Sequence, residues 1–163
     1  MRGVRVLDRR AAARAVDQVF GGMSARSRYL RFHAPVPRLT GAMRHGLSDL
    51  DGVDRVALVV ERRGRAIGIG RLIRTGADTA ELALAVVDAW QRRGVGTRLL
   101  SALVDLAAEL GYASLCGDVL EENLAMLRLV RRFGGRVVPC DGVVRVTYPI
   151  TLTHEDLIVD LGW

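Results

Sequence analysis

A chain of 163 residues, half of them hydrophobic and 26% charged, has the size and mixture of one globular domain with its own core. No apolar run approaches the roughly 20 residues that span a bilayer, and the start, Met1-Arg2-Gly3-Val4-Arg5-Val6-Leu7-Asp8, lacks the apolar stretch of a secretion signal, so a cytoplasmic protein with no membrane partner is expected. The net charge of +6 comes from 24 basic residues, every one an arginine, spread along the chain without the interleaved aromatics that stack bases, which argues against nucleic acid and fits a polyanionic small molecule.

With no lysine, the chain has no side chain that a lysine-modifying enzyme could modify on itself. Cys116 and Cys140 form no CxxC, and His33, His45 and His154 are scattered, so free thiols and no metal are expected.

Val4 to Leu7 is expected as a short strand, followed by a helix from Arg9 to Phe20 that Gly21-Gly22 stops. Ser24 suits the N-cap of a second helical piece ending near His33; Pro35 and Pro37 break the chain before a third, Leu39 to Leu47. Ser48-Asp49-Leu50-Asp51-Gly52 is a connector. Arg55 to Glu61, Ala66 to Ile73 and Thr79 to Val87 then alternate as strands, and the short turns between them dictate an antiparallel meander.

Val95, Leu99, Leu103, Leu106 and Leu110 recur at three- and four-residue steps on the strongest helix in the sequence, closed by Gly111. Ala113 to Val119 follows as a strand, Glu121 to Phe133 as a helix, and Arg136 to Pro139 with Val143 to Pro149 as a closing hairpin around Asp141-Gly142. The expected fold is α/β, a mixed and mostly antiparallel sheet flanked by helices, with residues 1–150 as one domain. Residues 151–163 form a tail of unassigned role, opening on a weak helix-start pattern at Thr153-His154-Glu155-Asp156. Its apolar end suits a homodimer contact.

Gln91-Arg92-Arg93-Gly94-Val95-Gly96-Thr97 joins a strand directly to that strongest helix. The first turn of a helix presents unpaired N–H groups and a positive dipole end. Glycines let a phosphate approach the backbone, and Arg92, Arg93 and Arg98 add charge beside it. A Walker loop is excluded, since it requires a lysine. A dinucleotide fingerprint is excluded too, since Leu99 stands where its third glycine belongs.

Gln91, Gly94 and Gly96 resemble the Gln/Arg-x-x-Gly-x-Gly/Ala signature of the GNAT acetyltransferases, and the element order over residues 4–149 is similar to the fold of that family. The resemblance implies acetyl-CoA as co-substrate, its diphosphate held by Arg92, Arg93, Gly94, Val95, Gly96 and Thr97, its pantetheine arm paired with Val86 and Val87, and Asn123 as an accessory contact. Ser24-Ala25-Arg26-Ser27-Arg28-Tyr29-Leu30-Arg31-Phe32 and Leu47-Ser48-Asp49-Leu50-Asp51 resemble the bacterial protein-lysine acetyltransferases that modify acyl-CoA synthetases. The implied acceptor is therefore a protein lysine, on a partner such as an acyl-CoA synthetase.

Acetyl transfer to a lysine needs a proton acceptor, because an amine of pKa about 10.4 is protonated at neutral pH. Glu81 is the candidate base. Strand alternation sets it on one face with Ala83, Ala85 and Val87, where small apolar neighbours would desolvate the carboxylate and raise its pKa. The resembling subgroup has its catalytic glutamate in a stretch similar to Thr79-Ala80-Glu81-Leu82-Ala83. The tyrosine that the family often uses to protonate the leaving thiolate falls on Val130 and is absent; Tyr112 and Tyr148 stand at other positions. A backbone N–H near Val87 is expected to hold the oxyanion. No cysteine or serine motif points to a nucleophile on the enzyme, so transfer is direct. The competing readings are a small-molecule amine acetyltransferase, acting on a polyamine or an aminoglycoside-like acceptor, and a non-catalytic module that senses acetyl-CoA.

Overall fold

The computed structural model describes residues 3–150; the tail and its Thr153–Asp156 pattern lie outside the described residues. Strand β1 (Val4–Val6) leads into three helices, α1 (Arg9–Gly21), α2 (Ala25–Phe32) and α3 (Gly41–Ser48). The meander is β2 (Arg55–Arg62), β3 (Arg65–Arg74) and β4 (Thr79–Val86). A 3-10 turn (Asp88–Trp90), α4 (Val95–Glu109), β5 (Ser114–Leu120), α5 (Leu124–Arg132), β6 (Arg136–Cys140) and β7 (Val143–Pro149) complete the order. The strands form one sheet in the order β1-β2-β3-β4-β5-β7-β6, with β4–β5 the one parallel pair.

Short polar side chains set most helix starts. Asp8, Ser24, Thr40 and Asn123 accept hydrogen bonds from the amides of Ala11, Ser27, Met43 and Met126, capping α1, α2, α3 and α5. Ser24 therefore caps as expected. Thr40 and Asn123 move two starts: α3 begins at Gly41 rather than Leu39, and α5 at Leu124 rather than Glu121. The meander turns obey local chemistry. Arg63 and Gly64 both take positive φ, 50° and 73°, as a two-residue hairpin of matching twist requires.

The sheet is covered on both faces. Val95, Leu99, Leu103 and Ala107 of α4 pack on Val56, Leu58 and Leu72, while Ala12, Ala15, Val16 and Val19 of α1 pack on Ala57, Val59 and Ile69 opposite. Gly70 lets α4 lie close, since a Cβ there would come within 2.5 Å of Leu103 Cδ1. Burial of these side chains supplies most of the fold's driving force, at about 25 cal/mol per Å² of apolar surface. A smaller cluster, Val119, Leu127, Val130, Val144 and Val146, seats α5 on the far half of the sheet. Among the described residues no helix is long and apolar enough to cross a membrane.

Candidate active site

The site begins where the sheet splits. β3 and β4 keep one register from Gly68–Val86 to Arg74–Ala80, and the Val87 amide donates to Ile67 O (3.0 Å). At the other end Thr75 N donates to Thr79 O (3.0 Å). Antiparallel pairs alternate between bonded and unbonded, so odd-numbered residues of β4 bond to β3. Leu82, Leu84 and Val86 therefore turn their backbone groups the other way, towards β5. Yet β5 pairs only with Thr79, Ala80 and Glu81; from Gly117 onwards it follows β7 alone. The result is a strand edge opened inside a sheet, five residues long from Leu82 to Val86 and about 17 Å from Glu81 to its end at 3.4 Å per residue. An extended ligand carrying amides can pair there as an added strand.

The open edge runs into the loop that starts α4. The Gln91 side-chain amide donates to Val86 O (3.1 Å), Ser27 Oγ (3.2 Å) and Asp88 Oδ1 (3.2 Å), bracing the loop against β4 and α2. Arg92 and Gly94 take positive φ, 58° and 79°, and Gly94 is the N-cap of α4. It offers no side chain, so α4 alone among the described α-helices starts without a side-chain cap. The first-turn amides of Val95, Gly96 and Thr97 are left for something else, and no acidic residue stands in that turn. Gly94 is dictated by its backbone angle. Gly96 is not dictated by the protein: a Cβ there would make only ordinary contact, 3.5 Å from Leu129 Cδ2. Its bareness keeps space beside the free amides. The exposed Arg92 and Arg93 flank them, the Arg93 guanidinium 5.4 Å from the centre of the Trp90 ring.

Between the open edge and α5 lies an apolar cavity lined by Leu82, Gly117, Met126, Val130 and Tyr148, among others. Asn123 stands at the start of α5, its Oδ1 spent on Met126 N (3.2 Å) and its amide NH2 left as the donor it can offer. The other face of β4 carries Glu81, at the point where β4 and β5 part, its register partner on β5 being Cys116. Glu81 is exposed, and the Arg31 and Arg71 guanidiniums feel its charge. Among the described residues no cluster of three or more His, Cys, Asp or Glu side chains could hold a metal ion.

Comparison with known proteins decides what this geometry belongs to. The model of the acetyltransferase (GNAT) family matches residues 25–135. The chain belongs to the GNAT acetyltransferases. It is similar to Acetyltransferase Pat of Mycolicibacterium smegmatis, 33% identical over 146 residues, covering 84% of this chain and 44% of that protein; it thus spans under half the length of the relative. The GNAT domain of S. lividans PAT superposes with a TM-score of 0.83 at 33% identity, covering 90% of this chain and 89% of the other. The fold is shared with yncA of Salmonella typhimurium, solved with its cofactor acetyl-CoA (TM-score 0.72, 19% identity, coverage 93% and 95%).

The GNAT frame shows where the expected site residues sit. Arg92, Arg93, Gly94, Val95, Gly96 and Thr97 are together at the uncapped helix start, and Val86 ends the open edge leading to it. Val87 requires a correction. Its N–H is bound to Ile67 O, so that amide can neither pair with an arm nor hold an oxyanion, and the N–H expected near Val87 for the oxyanion has to be a neighbour's; the Val87 carbonyl accepts from Trp90 N (2.8 Å). Strand parity moves the open amides one residue back, to Val86 and Leu84. The enclosure expected around Glu81 is corrected as well, since the carboxylate is exposed. Val130, where a tyrosine was sought, is buried at 2% exposure on the cavity wall, and Tyr148 lines that same cavity from β7. Pairing across the sheet, Leu115 with Tyr148, brings it there, and no local pattern in the sequence foretold it. Arg71 was missed too, though a charged residue inside Ile67-Gly68-Ile69-Gly70-Arg71-Leu72-Ile73 was a visible signal.

Proposed function

We propose that this GNAT enzyme moves an acetyl group from acetyl-CoA directly to the side-chain amine of a protein lysine. The observation that carries the reading is the continuity of the opened β4 edge with the uncapped start of α4. The diphosphate of the donor suits the free amides of Val95, Gly96 and Thr97, with Arg92 and Arg93 adding charge. The arm, an amide-bearing chain, suits the edge at Leu84 and Val86, and the edge is long enough to carry the thioester to Glu81. Asn123 contributes its amide NH2.

The chemistry then follows from position. Leu84 N–H, pointing into the split, donates to the oxyanion that forms on the thioester carbonyl. Glu81, where the strands part and open to solvent, takes the ammonium proton directly or through a water. The amine adds to the carbonyl carbon, the C–S bond breaks, and the thiolate leaves towards the cavity with Tyr148 on its wall. A thiol of pKa about 8.5 is a tolerable leaving group without help, and the Tyr148 hydroxyl is the group suited to return a proton.

The lysine acceptor is supported by 33% identity to Acetyltransferase Pat and to the S. lividans PAT domain, together with the resemblance of residues 24–32 and 47–51 noted above. An acyl-CoA synthetase is the partner class that this resemblance implies. The test is thiol release from acetyl-CoA with lysine peptides, polyamines and aminoglycosides offered in parallel. Turnover on peptides alone supports the reading; turnover only on small amines replaces the acceptor. Tight acetyl-CoA binding with no turnover on any amine would make the chain a sensing module.

A further inference from the structure

On the face of the sheet that carries Glu81, a second cavity lies beneath α1, α2 and α3. Its walls are apolar, including Val16, Phe20, Phe32 and Leu47, except for two guanidiniums: Arg31 from α2 and Arg71 from the middle of β3. Arg71 is buried, at 6% exposure. Its Nη2 donates to Gly46 O (3.0 Å), while its Nε is buried with no partner. Among the described residues neither arginine has a carboxylate within ion-pair distance. Glu81 and Asp49 are near enough for Arg71 to feel, but Asp49 is committed to Arg9 (3.7 Å) and Arg55 (3.3 Å). Burial, and then the charge of Arg71, push Arg31 down to about 10, which still leaves it protonated at neutral pH.

Glu81 acts on both guanidiniums without pairing with either, and two like charges facing one apolar space are costly without a close counter-charge; a buried donor without a partner adds to that cost. A tie between α3 and the sheet would explain the Gly46 contact of Arg71, but not a second guanidinium opposite. Guanidiniums in such a place suit a planar oxyanion held by several donors. The floor of the cavity is Ala83, Leu84 and Ala85 of β4. Ala83 is two residues along the same face from Glu81, about 7 Å at strand spacing.

We propose that the Arg31–Arg71 cavity is an anion subsite that binds a carboxylate carried by the acceptor, next to the amine to be acetylated. Resting on the lysine reading above, the substrate is a lysine with an aspartate or glutamate beside it in the acceptor. The subsite sets specificity and leaves donor binding untouched.

The experiment compares paired peptides, identical except for Glu or Gln next to the lysine, with the full chain and the Arg31→Met and Arg71→Lys variants. The wild type should favour the Glu peptide by about tenfold to a hundredfold in kcat/KM, the worth of a charge-assisted hydrogen bond. Arg31→Met, which keeps the apolar stem of this partly buried side chain, should reduce that ratio to below about threefold, with acetyl-CoA affinity and melting temperature unchanged. Equal use of the two peptides by the wild type, or full discrimination by Arg31→Met, overturns the subsite. Glutamate α-amide and glutamine α-amide, offered as amines, tell a small-molecule acceptor from a peptide. If no amine turns over, the function reading fails while the subsite is still decided by nitrogen-15 NMR of the arginine Nε–H signals. N-acetylglutamate α-methylamide, and not N-acetylglutamine α-methylamide, should then shift Arg71; no shift with either overturns it.

Discussion

The two faces of β4 are built from different materials. The proposed donor side consists of backbone: the open edge from Leu82 to Val86, the left-handed Gly94 and the free amides that begin α4. The proposed acceptor side consists of side chains that arrive from distant parts of the chain, Glu81 from β4, Arg71 from β3 and Arg31 from α2. Backbone recognition is announced by glycines and a short spacing, so it is readable in sequence. Side-chain recognition depends on which strand neighbours which, so it waits for the fold.

The sharpest way to separate the sides is Glu81→Gln. Loss of a general base should lower kcat by roughly 10² to 10⁴-fold, while calorimetry of acetyl-CoA gives the wild-type affinity. A parallel loss of binding would merge the two sides into one. Next in size is the double change Arg92→Gln and Arg93→Gln. Loss of two flanking charges should weaken acetyl-CoA binding about tenfold at low salt, and the deficit should shrink as salt screens the wild type. Tyr148→Phe, on the same face as the proposed donor site, should lower kcat by roughly tenfold or less, since a thiol of pKa about 8.5 leaves tolerably without help, and should leave KM alone.

Much of the fold around the proposed donor side is legible in the sequence. The meander turns, the glycine loop and the long apolar face of α4 are local patterns, and local physics settles them. Four features escaped. The caps at Thr40 and Asn123 compete with good helix formers just upstream, Leu39 in one case and Glu121-Glu122 in the other, so two helices start late. Val87 reads as the last residue of a strand, yet its carbonyl begins the 3-10 turn by accepting from Trp90. The placement of β7 between β5 and β6, which carries Tyr148 to the cavity, is a long-range choice with no local signature. Arg71 was visible as a charge in an apolar strand, but the cavity it faces was not.

Smaller effects test the scaffold on each side. Asn123→Ala should cost about 1 kcal/mol through the lost cap of α5, seen as a lower melting temperature, and should weaken acetyl-CoA binding only if its amide also meets the donor. On the acceptor side, Asp51 closes the connector after α3. The amide of Arg55, then that of Val53, hold its carboxyl down at about 2. A depressed carboxylate contributes stability above its ordinary range near pH 4 and loses it as pH falls towards about 2. The melting-temperature gap between wild type and Asp51→Ala should therefore be open at pH 6 and closed near pH 2.

The central claim is tested most directly at Gly96, where the protein itself tolerates a side chain and the donor's diphosphate would not. Calorimetric titration of acetyl-CoA into wild type and Gly96→Ala should show the alanine variant weaker by about tenfold or more, the worth of one or two charge-assisted hydrogen bonds, with an unchanged melting temperature. Equal affinity in the two proteins, or no binding by the wild type, would contradict the assignment of the α4 start as the diphosphate site.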